Sequence, residues 1–120
     1  MKKIFGAILS CAVSLFFVGT PALAAEAPAS FKKCQACHKV DEDHTAWKVG
    51  PGLKGIGKRV SAGYLEKALK DPQGTFDAGG AEIETLKKGA KFKTPLKMPK
   101  AVEKLTDAEI KELAAYMMTL

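Results

Sequence analysis

Apolar residues run almost unbroken from Ile4 to Val18, with only Gly6, Ser10, Cys11 and Ser14 intervening. Lys2 and Lys3 precede the run and Ala22-Leu23-Ala24 follows it, the order of charge, apolar core and small-residue cleavage site found in a secretory signal peptide. The run is shorter than the ~20 residues that span a bilayer comfortably, which makes an uncleaved anchor the lesser reading. Ile8-Leu9-Ser10-Cys11 loosely suggests a lipoprotein site, but cleavage there would leave Leu15, Phe16, Phe17 and Val18 on the mature chain. Residues 1–24 are therefore read as a cleaved signal and 25–120 as one small domain.

Beyond residue 24 the apolar positions become periodic. Ser61 is placed to cap a helix running to Lys70, with Tyr64, Leu65, Ala68 and Leu69 as its stripe. Asp71-Pro72 should stop it. Thr106-Asp107-Ala108-Glu109 has the form of a capping box, and Ile110, Leu113, Ala114 and Met117 repeat at i, i+3, i+4 and i+7 toward the C-terminus. Shorter helices are expected over 25–38, where Pro28 suits a first turn and Phe31 shares a face with Cys34, and over 81–88, closed by Gly89. Residues 39–61 and 73–80 read as loop, and 90–104, with Pro95 and Pro99, as extended chain. No strand pattern survives, so the domain is expected to be all-α.

A mature chain this short buries only about 60–65% of its unfolded surface, which leaves a bare apolar core marginal. The only cysteines past the signal are Cys34 and Cys37, too few for a disulfide framework. Removal of Lys2 and Lys3 takes the formal charge from +6 to +4, because no acidic residue lies in the signal. A modest positive balance over many lysines suits steering toward acidic proteins, and a solvated face without partner meaning is the plain alternative. Export and the lack of an aromatic-interleaved basic motif argue against nucleic acid.

Cys34-Gln35-Ala36-Cys37-His38 changes this picture most. Two thiols three residues apart can both reach vinyl groups along one side of a haem, and the imidazole that follows is placed to ligate its iron. Three other readings compete. A redox-active disulfide needs a βαβ context that the chain lacks. A zinc site from Cys34, Cys37, His38 and His44 lacks the usual second ligand pair at wider spacing. The pentapeptide also occurs by chance. Covalent attachment of one haem through Cys34 and Cys37, with His38 as axial ligand, fits the residues best and supplies the missing core. For the second axial position Met98 lies in a loop between prolines, whereas Met117 belongs to the buried stripe and Met118 to the same helix. His44 sits only six residues from His38, a short path around a haem.

These residues resemble the class I cytochrome c family over most of 28–120. The resemblance rests on Phe31 through His38 and on Val49-Gly50-Pro51-Gly52-Leu53-Lys54-Gly55-Ile56-Gly57-Lys58-Arg59. It extends to Tyr64 through Pro72, to Lys97-Met98-Pro99, and to the last helix with Leu113 and Tyr116. It implies a small all-α cytochrome c fold of three to four helices around one covalent haem c. The Pro51 carbonyl would accept the His38 Nδ1 proton, Leu53 and Leu69 would pack on the haem faces, Arg59 would sit near a propionate, and Met98 would be the distal ligand. The chain departs from the shorter members in a longer stretch between Pro72 and Met98. It also has Leu96 where a threonine often stands, and little chain before Phe31.

The implied function is an exported, periplasmic, one-electron carrier rather than an enzyme. It would be free of the membrane after signal cleavage, monomeric when free, and docked on acidic redox partners. Lys33, Lys39, Lys48, Lys54, Lys97 and Lys100 are the candidates for its docking ring. A cytochrome subunit of a larger oxidoreductase, such as one oxidising sulfur compounds, would share the motifs but show a large apolar surface patch. An enzyme or gas sensor would need a labile distal site.

Overall fold

The computed structural model describes residues 25–88 and 96–120. The signal peptide, the Gly89 stop and the 90–95 part of the expected extended stretch lie outside them. Among the described residues the chain forms no β-strand, and its one β-bridge joins Trp47 to Pro51. The fold is small and all-α.

After a 3-10 turn over Ala29–Phe31, the helices are α1 (Lys32–Gln35), α2 (Ile56–Arg59), α3 (Ala62–Lys70), α4 (Pro72–Ala78), α5 (Ala81–Lys88), α6 (Met98–Val102) and α7 (Asp107–Met117). Two of these are set by the signals expected of them. The Ser61 hydroxyl accepts the Tyr64 N–H at 3.1 Å and opens α3. At α7 the Thr106 side chain accepts the Glu109 N–H while the Glu109 carboxylate accepts the Thr106 N–H, completing the capping box. Helix α5 keeps its expected bounds.

Elsewhere the structure corrects the pattern. The first helix is not one run over 25–38 but a 3-10 turn passing into a single α-turn, and the His38 N–H still donates to Cys34 O at 2.8 Å. Residues 73–80 are mostly helix, because the Asp71-Pro72 pair that ends α3 also starts α4. Asp71 accepts the Gly74 N–H at 2.9 Å, and Pro72, which has no N–H to lose, takes the first turn. Likewise α2 lies inside the expected 39–61 loop, and α6 replaces extended chain with Pro99 in its first turn.

The core forms where α3 and α7 pack together. Leu65 and Leu69 of α3 meet Ile110, Leu113, Ala114 and Met117 of α7, while Phe31 and Leu113 are fully buried. Phe31 thus faces a partner helix: its ring meets that of Tyr116 edge-on, with centroids 4.9 Å apart. An ion pair of 3.0 Å between Lys70 and Asp107 joins the end of α3 to the start of α7. The C-terminus closes on α2, where the Gly55 N–H donates to Leu120 O at 2.7 Å. A side chain at Gly57 would collide with the Met118 carbonyl.

Candidate haem site

Residues 37–55 fold back on the end of α1 through their own backbone. The Gly50 N–H donates to Cys37 O at 2.9 Å, Gly52 N–H to Ala46 O at 2.9 Å, Leu53 N–H to Lys39 O at 2.7 Å and Lys54 N–H to Glu42 O at 3.0 Å. Gly52 is required at this crossing, because a Cβ there would overlap the carbonyl oxygens of Glu42 and Asp43. Gly50 lies directly against the His38 ring, and a Cβ on it would stand 2.8 Å from Nδ1 and closer still to Cε1.

This fold-back fixes the imidazole. His38 Nδ1 lies 2.7 Å from the Pro51 carbonyl oxygen, which can only accept, so the proton sits on Nδ1. Burial lowers the His38 pKa, with the Pro51 bond opposing it more weakly. The ring is therefore neutral at pH 7, with Nε2 unprotonated and free to ligate a metal. The Cys34 thiol is pushed upward by burial, then by neighbouring Cys37, so it stays protonated. No disulfide links the two cysteines.

Cys34, Cys37, His38 and Pro51 line one cavity of about 400 Å³ together with Met98, brought in from the far end of the chain by α6. Most of the remaining lining is apolar, from Trp47, Val49, Leu96, Ala101, Val102 and Leu105, and Ser30, Gly50 and three exposed lysines, Lys33, Lys48 and Lys97, complete it. Such a cavity suits a largely apolar planar ligand held by a few placed donors. The donor set fits a haem: two unpaired thiols at attachment spacing, a neutral imidazole held by a carbonyl, and a thioether sulfur. Zinc fits less well, because among the described residues no three His, Cys, Asp or Glu side chains gather as a metal site.

The other residues of the expected pocket lie elsewhere. Leu53 and Leu69 are 6% and 3% exposed, packed in the core cluster with Phe31 and Leu113, and neither lines this cavity. Arg59 faces a second, more open cavity, where its Nε and Nη2 donate to Glu82 at 3.1–3.3 Å and its Nη1 to Lys54 O at 3.3 Å. His44 does not line the haem cavity, Met117 is buried in the core, and Met118 is exposed. Sequence reasoning missed Ala101, Val102 and Leu105. With Met98 they stand at i, i+3, i+4 and i+7, where α6 carries the first three and Leu105 follows just beyond its end, a spacing hidden in the sequence by Pro99.

Comparison with known proteins finds relatives of this chain. The cytochrome c family model matches residues 24–120. Cytochrome c-553 of Nitratidesulfovibrio vulgaris (strain DSM 19637 / Miyazaki F) is 33% identical over 121 residues, which span 100% of both chains. Cytochrome c2 of Rhodoplanes tepidamans is 42% identical over 57 residues, 43% of this chain and 56% of that protein. No solved structure matches the chain.

Proposed function

The chain belongs to the class I cytochrome c family, an electron-transfer protein with covalent haem c, and we propose that it is an exported carrier shuttling single electrons between redox partner proteins. One observation carries this reading: Cys34, Cys37, His38 and Met98 share a single cavity although the motif and the methionine lie far apart in sequence.

Cys34 and Cys37 would tether the group, and His38 Nε2 and the Met98 sulfur would hold its iron. Bound haem supplies a one-electron ferric–ferrous couple. Met98, as a thioether, would favour ferrous iron relative to a second nitrogen and so raise the potential. Pro51 makes His38 more basic and holds its ring plane, as hydrogen-bonded partners of metal ligands do. With His38 and Met98 both holding the iron no place would be left for substrate, which supports a carrier rather than an enzyme. The apolar walls from Leu96 to Leu105 exclude water, while Lys33, Lys48 and Lys97 present positive charge where the group is approached. Arg59, if it serves a propionate as the family resemblance implies, does so while held by Glu82. Leu53 and Leu69 support the pocket from the core.

Among the described residues only Val49 and Met118 are exposed large hydrophobics, at 51% and 37%. That favours a free, monomeric shuttle over a tightly bound oxidoreductase subunit. The pattern of residues 1–24 supports delivery to the periplasm, and none of the described helices is long and apolar enough to cross a membrane.

Expression with and without a haem-attachment system, followed by reduced and oxidised spectra of wild type and Met98→Ala, tests the reading. Wild type should carry a pigment that acid acetone does not extract. Met98→Ala should keep the pigment, lower its potential and bind carbon monoxide in the ferrous state. A colourless wild type, or a Met98→Ala spectrum identical to it, would refute the assignment.

A further inference from the structure

The chain's only arginine is engaged on all three of its nitrogens, and its partners lead in two directions. On one side Nε and Nη2 hold the Glu82 carboxylate of α5 in a charge-assisted fork, with Arg59 23% and Glu82 10% exposed at the side chain. On the other, Nη1 donates to the carbonyl of Lys54. Lys54 ends the short segment whose Pro51 carbonyl accepts the His38 Nδ1 proton. The backbone braces of that segment run to Lys39, Glu42 and Ala46. Arg59 adds a side-chain brace that reaches another helix.

Among the described residues, helix α5 has few other restraints. It follows Gly79 and Gly80, both at positive φ (71° and 107°), and a Cβ on either would meet nothing within 4 Å. Ile83 is its buried anchor, and Lys87 reaches the Phe76 ring at 5.2 Å. Among the described residues, Glu82 is thus the polar tie between a helix preceded by two glycines and the loop that orients the histidine.

We propose that Glu82 and Arg59 are positioning residues for His38: their ion pair clamps the 51–54 segment from α5 and so sets the strength of the Pro51–His38 hydrogen bond. The proposal rests on His38 as the iron ligand and goes beyond it by assigning work to the stretch that lengthens this chain between Pro72 and Met98. A firm Pro51 bond makes the imidazole more basic and favours ferric iron. A slack clamp weakens the bond and favours ferrous iron. The fork geometry matters as well as the charge, because lysine cannot engage Glu82 and the Lys54 carbonyl in the same way.

The test uses the pigmented holoprotein as wild type, Arg59→Lys and Glu82→Gln. Three quantities are read: solvent exchange of the His38 Nδ1 proton in the reduced state by NMR, the midpoint potential, and amide exchange in α3 and α7. Both variants should show several-fold faster Nδ1 exchange and a more positive potential, with α3 and α7 unchanged. Arg59→Lys is the decisive variant, since it keeps the positive charge and a shift there reports geometry. Wild-type Nδ1 exchange in a coloured Arg59→Lys protein overturns the clamp alone. Equal acceleration in α3 and α7 makes the pair a general stabiliser and also overturns it. A colourless wild type overturns the assigned function, and the clamp with it.

Discussion

A methyl group added at Gly50 would stand on the imidazole of His38, closest to Cε1 and 2.8 Å from Nδ1. The ring cannot retreat without giving up its bond to the Pro51 carbonyl, and the backbone cannot retreat without breaking the bond from Gly50 N–H to Cys37 O. Gly50→Ala should therefore destabilise the protein by about 1–3 kcal/mol, the usual range for overpacking. It should also shift the ferrous spectrum toward weakened axial ligation, whereas Gly63→Ala, on an open face of α3, should leave the spectrum alone and if anything raise stability. Denaturant melts and optical spectra check both, and a Gly50→Ala protein with wild-type spectrum and midpoint would remove the packing argument. The sequence shows a run of glycines in this stretch, but not what approaches each one. Gly50 clears the histidine ring, Gly52 the carbonyls of its own loop and Gly57 the C-terminal backbone, partners that only the folded chain brings together.

Helix α7 shows how a local signal becomes an element. Glu109 accepts the Thr106 N–H at 2.8 Å and the Thr106 hydroxyl at 3.0 Å, and these bonds, the backbone one first, hold its carboxyl below the usual range. A carboxylate whose folded pKa is depressed contributes stability above its unfolded value, about 4.3, and loses that contribution as pH falls through the lower, folded value. Glu109→Gln should remove this dependence. The thermal midpoint of wild type should fall more steeply than that of the variant on acidification below about pH 4.3, and parallel curves would deny the carboxylate a role. The same element scale explains which helices could be read in advance. A cap followed by two turns of spaced apolar residues is readable, as at Ser61 and Thr106. Helices α4 and α6 have seven and five residues, too few for a period to emerge, and each has proline in its first turn, where the residue marks a stop or a start with equal ease. Because α6 went unread, half of the haem cavity's apolar wall did too, while Cys34, Cys37, His38 and Met98 were accessible from motif and loop context alone.

Over the whole molecule, the question is where an excess of lysine is concentrated. Proximity in sequence to the haem contacts picks out six lysines, but Lys33, Lys48 and Lys97 line the cavity, whereas Lys54 and Lys100 do not. Lys39 is bound to Glu42 at 2.7 Å with both side chains exposed, so its charge is already matched. Sequence proximity could not separate these cases, because side-chain direction and local pairing are set by the fold-back of residues 37–55. The separation gives an electrostatic test. Exposed charges act over a Debye length of about 8 Å at physiological salt, so reversing lysines beside the cavity should matter more than reversing equally charged lysines away from it. Lys48→Glu with Lys97→Glu should slow electron exchange with a carboxylate-coated electrode by about tenfold at low salt, and the difference should shrink as salt is raised. Lys54→Glu with Lys100→Glu makes the same change in net charge and should slow exchange much less. The midpoint potential should scarcely move in either pair, since solvent screens surface charges from the enclosed iron. Equal slowing by both pairs would mean that net charge alone steers the encounter, and the lysines around the cavity would then have no directing role.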